Sequence, residues 1–132
     1  MSEEKVEVVR KVYERWSEGD FRASADLLDT HVLLVLHSEF PEAGTYLGNE
    51  AVAAYTRDLL KTNRHLTQEA EEIIAAGDSV VVGVRQRGVG RASGVPTEMH
   101  FFTLWTLRGR KVIRIESFRE RAEALEAAGL RE

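Results

Sequence analysis

The sequence predicts an α+β fold in which a curved antiparallel sheet wraps around N-terminal helices. The result is a cone-shaped barrel with one open end, finished by a short C-terminal helix. Three observations predict it. Before about residue 63, one strand apart, apolar residues recur three and four positions apart, as on one face of a helix. From Leu66 to Phe118, long β-branched and aromatic runs are separated by short Gly-containing breaks. After Glu120 the helical spacing returns. A chain of 132 residues is long enough for one real core, so a single domain over residues 1–132 is expected.

The elements follow in order. Val6, Val9, Val12 or Tyr13, and Trp16 mark a first helix that Gly19 stops. Asp20 caps a second, short helix from Phe21 to about Leu28. Val32 to His37 reads as a strand buried on both faces, and the Pro/Gly-punctuated stretch 38–45 as a loop. Gly48-Asn49-Glu50 opens a third helix with Val52, Tyr55, Leu59 and Leu60 inside, and Asn63 ends it in a left-handed conformation. Strands are expected over Leu66–Ala75, Ser79 to about Val89, Thr97–Leu107 and Lys111–Phe118. Gly77-Asp78, Ala92-Ser93-Gly94 and Arg108-Gly109-Arg110 turn the chain between them. The last helix runs from Glu120 to Ala128, with Gly129 as its stop and Leu130 folding back beneath it.

Composition removes several function classes. A net charge of −4 leaves no basic footprint for nucleic acid. Without cysteine there is no disulfide, thiol nucleophile or thiolate metal site. No HxH, HExxH or carboxylate cluster points to a metal. Gly88-Val89-Gly90 precedes no helix, so it is no nucleotide fingerprint, and no cofactor is expected. The acidic start Met1-Ser2-Glu3-Glu4 is no secretory signal, and Val32–Leu36 is too short to span a bilayer. A cytoplasmic protein without a membrane partner is the expectation.

Strand parity assigns faces. Val80, Val82, Val84 and Gln86 share one side of their strand; Phe101, Thr103, Trp105 and Leu107 share one side of the next; Ile113, Ile115 and Ser117 share one side of the last. These sets are assigned to the concave face. The convex face then mixes Arg85, Arg87, Arg114 and Glu116 with Phe102 and Leu104. An apolar patch rimmed by charge suggests a partner surface, here a homodimer through the convex sheet. The alternative is that the tail helix covers Phe102 and Leu104.

This order of elements resembles the SnoaL-like branch of the nuclear transport factor 2-like superfamily. The resemblance rests on Trp16-Ser17-Glu18-Gly19-Asp20, the segment from Glu39 to Gly48, the break Ser93-Gly94, Phe101–Leu107 with Trp105, and Arg121–Leu130. It implies the cone fold over nearly the whole chain and agrees with pairing through the sheet. That superfamily hosts isomerases, cyclases, dehydratases, epoxide hydrolases and pure binding modules, so the fold leaves the reaction open.

Each candidate residue also has an ordinary structural role. His37, at the end of the first strand, stands about where the resemblance places the proton-abstracting base of ketosteroid isomerases, and imidazole titrates near neutral pH. Its plain role is a strand-end hydrogen bond. Those isomerases pair a Tyr with a protonated Asp; here Thr103 occupies the Asp position and Tyr13 lies one residue out of register, which disfavours that reaction. Glu39 in the loop is the candidate acid/base group for a cyclase, or else a solvated carboxylate. Val84, Gln86, Thr103 and Ser117 leave no Asp-Arg-Asp set for an epoxide hydrolase. Trp16, Tyr55, Phe101 and Trp105 form an aromatic lining or simply core, and Gln86, Thr103 and Ser117 add sparse polarity, the make-up of a small-molecule pocket. Arg119 binds a carboxylate at the wide end or pairs with a Glu of the tail helix. Two functions remain. One is a cofactor-independent acid/base enzyme acting on a small hydrophobic carbonyl compound. The other is a non-catalytic pocket protein.

Overall fold

The structure, a computed structural model, describes residues 2–22, 24–37, 40 and 42–130. Helix α1 spans Ser2–Trp16 and turns Val8, Val9, Val12 and Tyr13 into the core. It ends as its sequence requires: Gly19 takes φ 82°, and the Asp20 amide reaches back to the Arg15 carbonyl. The expected second helix shrinks to one 3₁₀ turn, Ala25–Leu27. A helix of eight residues has little to offset its nucleation cost, and Leu28 is already taken by the sheet, opposite Val112.

Strand β1 (Leu28–Leu36) therefore starts earlier than expected, and it alternates rather than being buried on both faces. Val32, Leu34 and Leu36 are buried, whereas Leu33 and Val35 are half-buried. A short strand β2 (Gly44–Leu47), whose first two residues fall in the stretch read from the sequence as loop, pairs antiparallel with β1 through Leu34 and Tyr46. Helix α2 (Asn49–Thr62) follows. Asn63 does not adopt a left-handed conformation; it is extended and begins β3, while its side-chain amide donates to the Leu59 carbonyl.

The remaining strands are β3 (Asn63–Ala76), β4 (Ser79–Gly90), β5 (Pro96–Arg108) and β6 (Lys111–Phe118), before helix α3 (Arg121–Ala127). The sheet order is β2-β1-β6-β5-β4-β3. All neighbours are antiparallel except β1 and β6, so the sheet is mixed, a correction to the antiparallel expectation. Register shifts interrupt β3 twice, β6 once and the first half of β1, and such irregularities add the local twist that curves long strands. The sheet is curved and unclosed.

Parity holds on β4 and β5: Val80, Val82, Val84, Phe101, Trp105 and Leu107 all join the inner core. On β6 the bulge lies between Val112 and Arg114. Val112 is therefore the inward residue, fully buried, and Ile113 is not, which corrects the assignment of Ile113 to the concave side.

A second, smaller core lies on the convex face. Ala124 and Leu125 of α3 pack on Val81, Leu104 and Phe118, with Phe102, Ala128 and Leu130 alongside. Gly129 at φ 81° lets the Leu130 amide return to the Leu125 carbonyl, as its position after the helix predicts. Arg121 anchors the helix to β3 through two 3.0 Å hydrogen bonds to Glu72. The apolar part of the convex face is thus covered by the tail helix. What stays open is an ion-paired strip in which Arg85 meets Glu69, and His100 lies between Glu71 and Glu98.

Candidate functional site

Inside the cone is a cavity of about 400 Å³, bounded by α1, α2 and the inner faces of the sheet. Its floor is set by side chains that only the C-terminal turn of α1 and the middle of β5 bring together. The Trp105 indole N–H donates to Thr103 Oγ1 at 2.9 Å and, at 3.3 Å, to the Tyr13 hydroxyl. The Tyr13 and Thr103 hydroxyls are themselves 3.1 Å apart. All three residues are buried, and desolvation raises the Tyr13 phenol well above its ordinary value, although the bonds from Thr103 and Trp105 oppose this. Tyr13 is therefore a neutral hydrogen-bonding group at any ordinary pH.

Beside the floor, Ser117 faces Thr103 across the β5–β6 pairing and is 4 % exposed. Farther up the wall, Gln68 and Gln86 are cross-strand partners on β3 and β4, and the Gln68 amide donates to Gln86 Oε1 at 2.8 Å. Between these polar positions the wall is apolar and aromatic. Phe101 packs edge-on against Phe40, Trp16 packs against Tyr13 and Trp105, and Tyr55 lies against Tyr46. Trp16 is fixed by its N–H, which donates to the buried Ser24 hydroxyl at 2.9 Å. Tyr55 is likewise held neutral, first by burial and then by Glu42 and Tyr46 nearby. The charged lining groups, Asp20, Arg22, Glu42 and Arg57, are all exposed and form the rim.

Eight of the residues expected at the site line this cavity: Tyr13, Trp16, Tyr55, Gln86, Phe101, Thr103, Trp105 and Ser117. Two of the others stand elsewhere. His37 follows Leu36, which points inward, so its ring falls on the opposite face. There it bonds Glu116 Oε2 at 2.8 Å and lies 5.0 Å from the Phe118 ring. Arg119 sits over Phe40, its guanidinium 5.9 Å from the ring centre, outside the lining. Glu39 lies outside the described residues. Sequence reasoning missed Gln68 and the rim set. The sequence marks Asp20 only as a cap, and no local pattern marks Arg22, before the 3₁₀ turn, or Arg57, on α2, which line the same opening.

The comparison with known families is decisive at this point. A model described as a SnoaL-like domain matches residues 9–115. The chain belongs to the SnoaL-like domain family. Solved structures similar to this SnoaL-like domain share its fold from end to end. One is a putative SnoaL-like polyketide cyclase from Jannaschia sp., 23% identical, with TM-score 0.77, covering 96% of this chain and 92% of that one. Another, from Catenulispora acidiphila, has a ketosteroid isomerase-like fold and was crystallised in complex with trimethylamine. It is 18% identical, with TM-score 0.74 and coverage of 94% and 93%. A third is TerC co-crystallised with polyporic acid, 19% identical, with TM-score 0.74 and coverage of 96% and 98%. No curated protein matches the chain. No helix among the described residues is long and apolar enough to cross a membrane.

Proposed function

We propose that this SnoaL-like domain holds a small, hydrophobic carbonyl compound inside its cone. The observation that carries this reading is the composition of the cavity. Its walls are apolar and aromatic, its inner polar groups are few and neutral, and its charges stay at the rim. A volume of about 400 Å³ falls in the range of small-molecule sites. Two structural neighbours described with small molecules, trimethylamine and polyporic acid, lend the reading support. Binding without chemistry fits this geometry first, because the imidazole of His37 lies on the other face of the sheet.

Cofactor-independent acid/base catalysis of isomerase, cyclase or dehydratase type is a second reading, favoured by the carboxylates of Asp20 and Glu42 on the rim. In it, a rim carboxylate exchanges a proton with the carbon next to a carbonyl held at the mouth of the cavity. Incubating the protein with small aryl ketones in D₂O separates the two. Binding seen by calorimetry without deuterium uptake at that carbon assigns a carrier. Uptake abolished in Asp20→Asn or Glu42→Gln assigns an enzyme, and absence of any binding removes both. Pairing of two copies through the convex sheet belongs to the proposal only for the ion-paired strip that α3 leaves open. A monomeric mass in sedimentation equilibrium removes it.

A further inference from the structure

The cavity has two separate polar stations, and their hydrogen-bonding capacity differs. At the floor, Trp105, Tyr13 and Thr103 hold three donor hydrogens between them. The indole hydrogen serves both oxygens, and one hydroxyl hydrogen fills the gap between Tyr13 and Thr103. One hydroxyl hydrogen is left over, while both oxygens are already accepting or donating within the cluster. Ser117, adjacent on β6, adds a third hydroxyl. The floor therefore offers hydrogens and suits an acceptor.

The Gln68–Gln86 pair differs. After its single internal bond it retains free N–H groups and a free carbonyl, so it suits a group that both donates and accepts. The strand register fixes the spacing. Thr103 stands opposite Val82, and Gln86 lies four residues farther along β4 on the same face. At the rise of an extended strand that is about 13 Å. Val84 and Phe101, paired with each other, form the apolar stretch between.

We infer that the ligand is elongate, flat and uncharged: a carbonyl oxygen at the Tyr13–Thr103–Ser117 floor, an apolar aromatic middle, and a hydroxyl or enol at the Gln68–Gln86 pair. This rests on the ligand-binding reading of the cavity and narrows it to a hydroxy-ketone class. Carboxylates are excluded from the floor because no cation among the described residues stands there to offset the desolvation of a buried charge.

Three matched probes test it by isothermal titration calorimetry: 6-acetyl-2-naphthol, 2-acetylnaphthalene without the hydroxyl, and 6-hydroxy-2-naphthoate with a carboxylate in place of the ketone. The naphthol ketone binds tightest, at least tenfold ahead of either relative. Gln86→Leu costs the naphthol ketone about tenfold and 2-acetylnaphthalene less than twofold, one hydrogen bond's worth of selectivity. Gln68→Met gives the same pattern should Gln86→Leu fail to fold. Ketone binding that ignores both glutamine variants, or weakens equally for both ketones, overturns the two-station ligand while leaving the cavity reading standing. The naphthoate binding as tightly as the ketone also overturns it. Failure of all three probes to bind overturns both.

Discussion

Removing the two floor hydroxyls one at a time and together probes how dry the base of the cavity is. Tyr13→Phe takes away the partner at 3.1 Å from Thr103 but leaves the Trp105 N–H its better acceptor, Thr103 at 2.9 Å. The expected cost is about 1 kcal/mol, the net worth of one buried hydrogen bond. Thr103→Val removes the better acceptor and leaves the indole only the longer 3.3 Å contact to Tyr13. That variant should lose about 2 kcal/mol. For a chain of this length these costs correspond to roughly 3–5 °C per kcal/mol in the thermal midpoint.

The double variant is the informative one. Simple addition counts the Tyr13–Thr103 bond twice, which overstates the loss by about 1 kcal/mol. Against that, Trp105 is 0 % exposed, and its N–H is left with neither oxygen, a desolvation cost of about 1–3 kcal/mol. The second effect is the larger, so the double variant should be less stable than the sum by about 1 kcal/mol. Urea unfolding followed by circular dichroism and by tryptophan fluorescence measures the cycle. A double variant at or below the sum of the singles would refute the reasoning, because water entering the cavity would then be satisfying the indole.

Other consequences can be checked separately. Leu125→Ala should cost about 2–3 kcal/mol in urea unfolding and increase binding of a hydrophobic dye, since Leu125 covers Leu104 and Phe118; a loss below about 1 kcal/mol would mean α3 is not what covers that face. Gly83→Ala should destabilise by about 1 kcal/mol, because a Cβ there lies 3.1 Å from the Phe102 ring and 3.4 Å from Glu72 Cβ; a neutral or stabilising result is incompatible with that packing. The strip on the convex face predicts a pH dependence with two limits. Glu98 is held below its ordinary 4.5, chiefly by its hydrogen bond from His100, so its contribution is present above that pH and lost as pH falls through the lowered value. His100 is raised above its ordinary 6.5, chiefly by Glu98 and then by Glu71, so its contribution is complete below 6.5 and lost as pH rises through the raised value. The stability gap between the parent and His100→Gln should therefore be widest between pH 4.5 and 6.5 and should close in alkali, and a gap that widens above pH 8 has the wrong sign.

The inner wall was legible where strands run without interruption. Parity alone put Val80, Val82, Val84, Phe101, Thr103 and Trp105 on the cavity side, because β4 and β5 pair in unbroken register. It failed at bulges, which no side-chain pattern announces. Counting back from the Gly77-Asp78 hairpin sets Glu69 opposite Gln86. The irregularity between Ala70 and Glu72 shifts the strand by one, so Gln68 takes the inside place and Glu69 turns out to Arg85. The same kind of shift exchanged Val112 for Ile113. Strand β2 was hidden for another reason: Gly44–Leu47 is held by backbone pairing to β1, and four residues running out of a Pro/Gly-punctuated stretch are too few to show an alternating pattern. His37 was misplaced by one residue of strand length, which suffices to send a side chain to the opposite face.

The parallel pairing of β1 with β6 bears on how the chain acquires its shape. Leu34 and Ile115, neighbours across that pairing, are about eighty residues apart in sequence. During synthesis β1 has only the four-residue β2 beside it until β6 has emerged. The β3–β4–β5 ribbon can form locally, but Val32, Leu34 and Leu36 find their inner neighbours Val112 and Ile115 only at the last strand. Closing that span costs chain entropy before the contacts repay it, so the pairing of β1 with β6 should be the slow step of folding. Chains that stop before Lys111 would display the apolar side of β1 to solvent and to one another, and so the risk of aggregation is concentrated in the interval before β6 arrives.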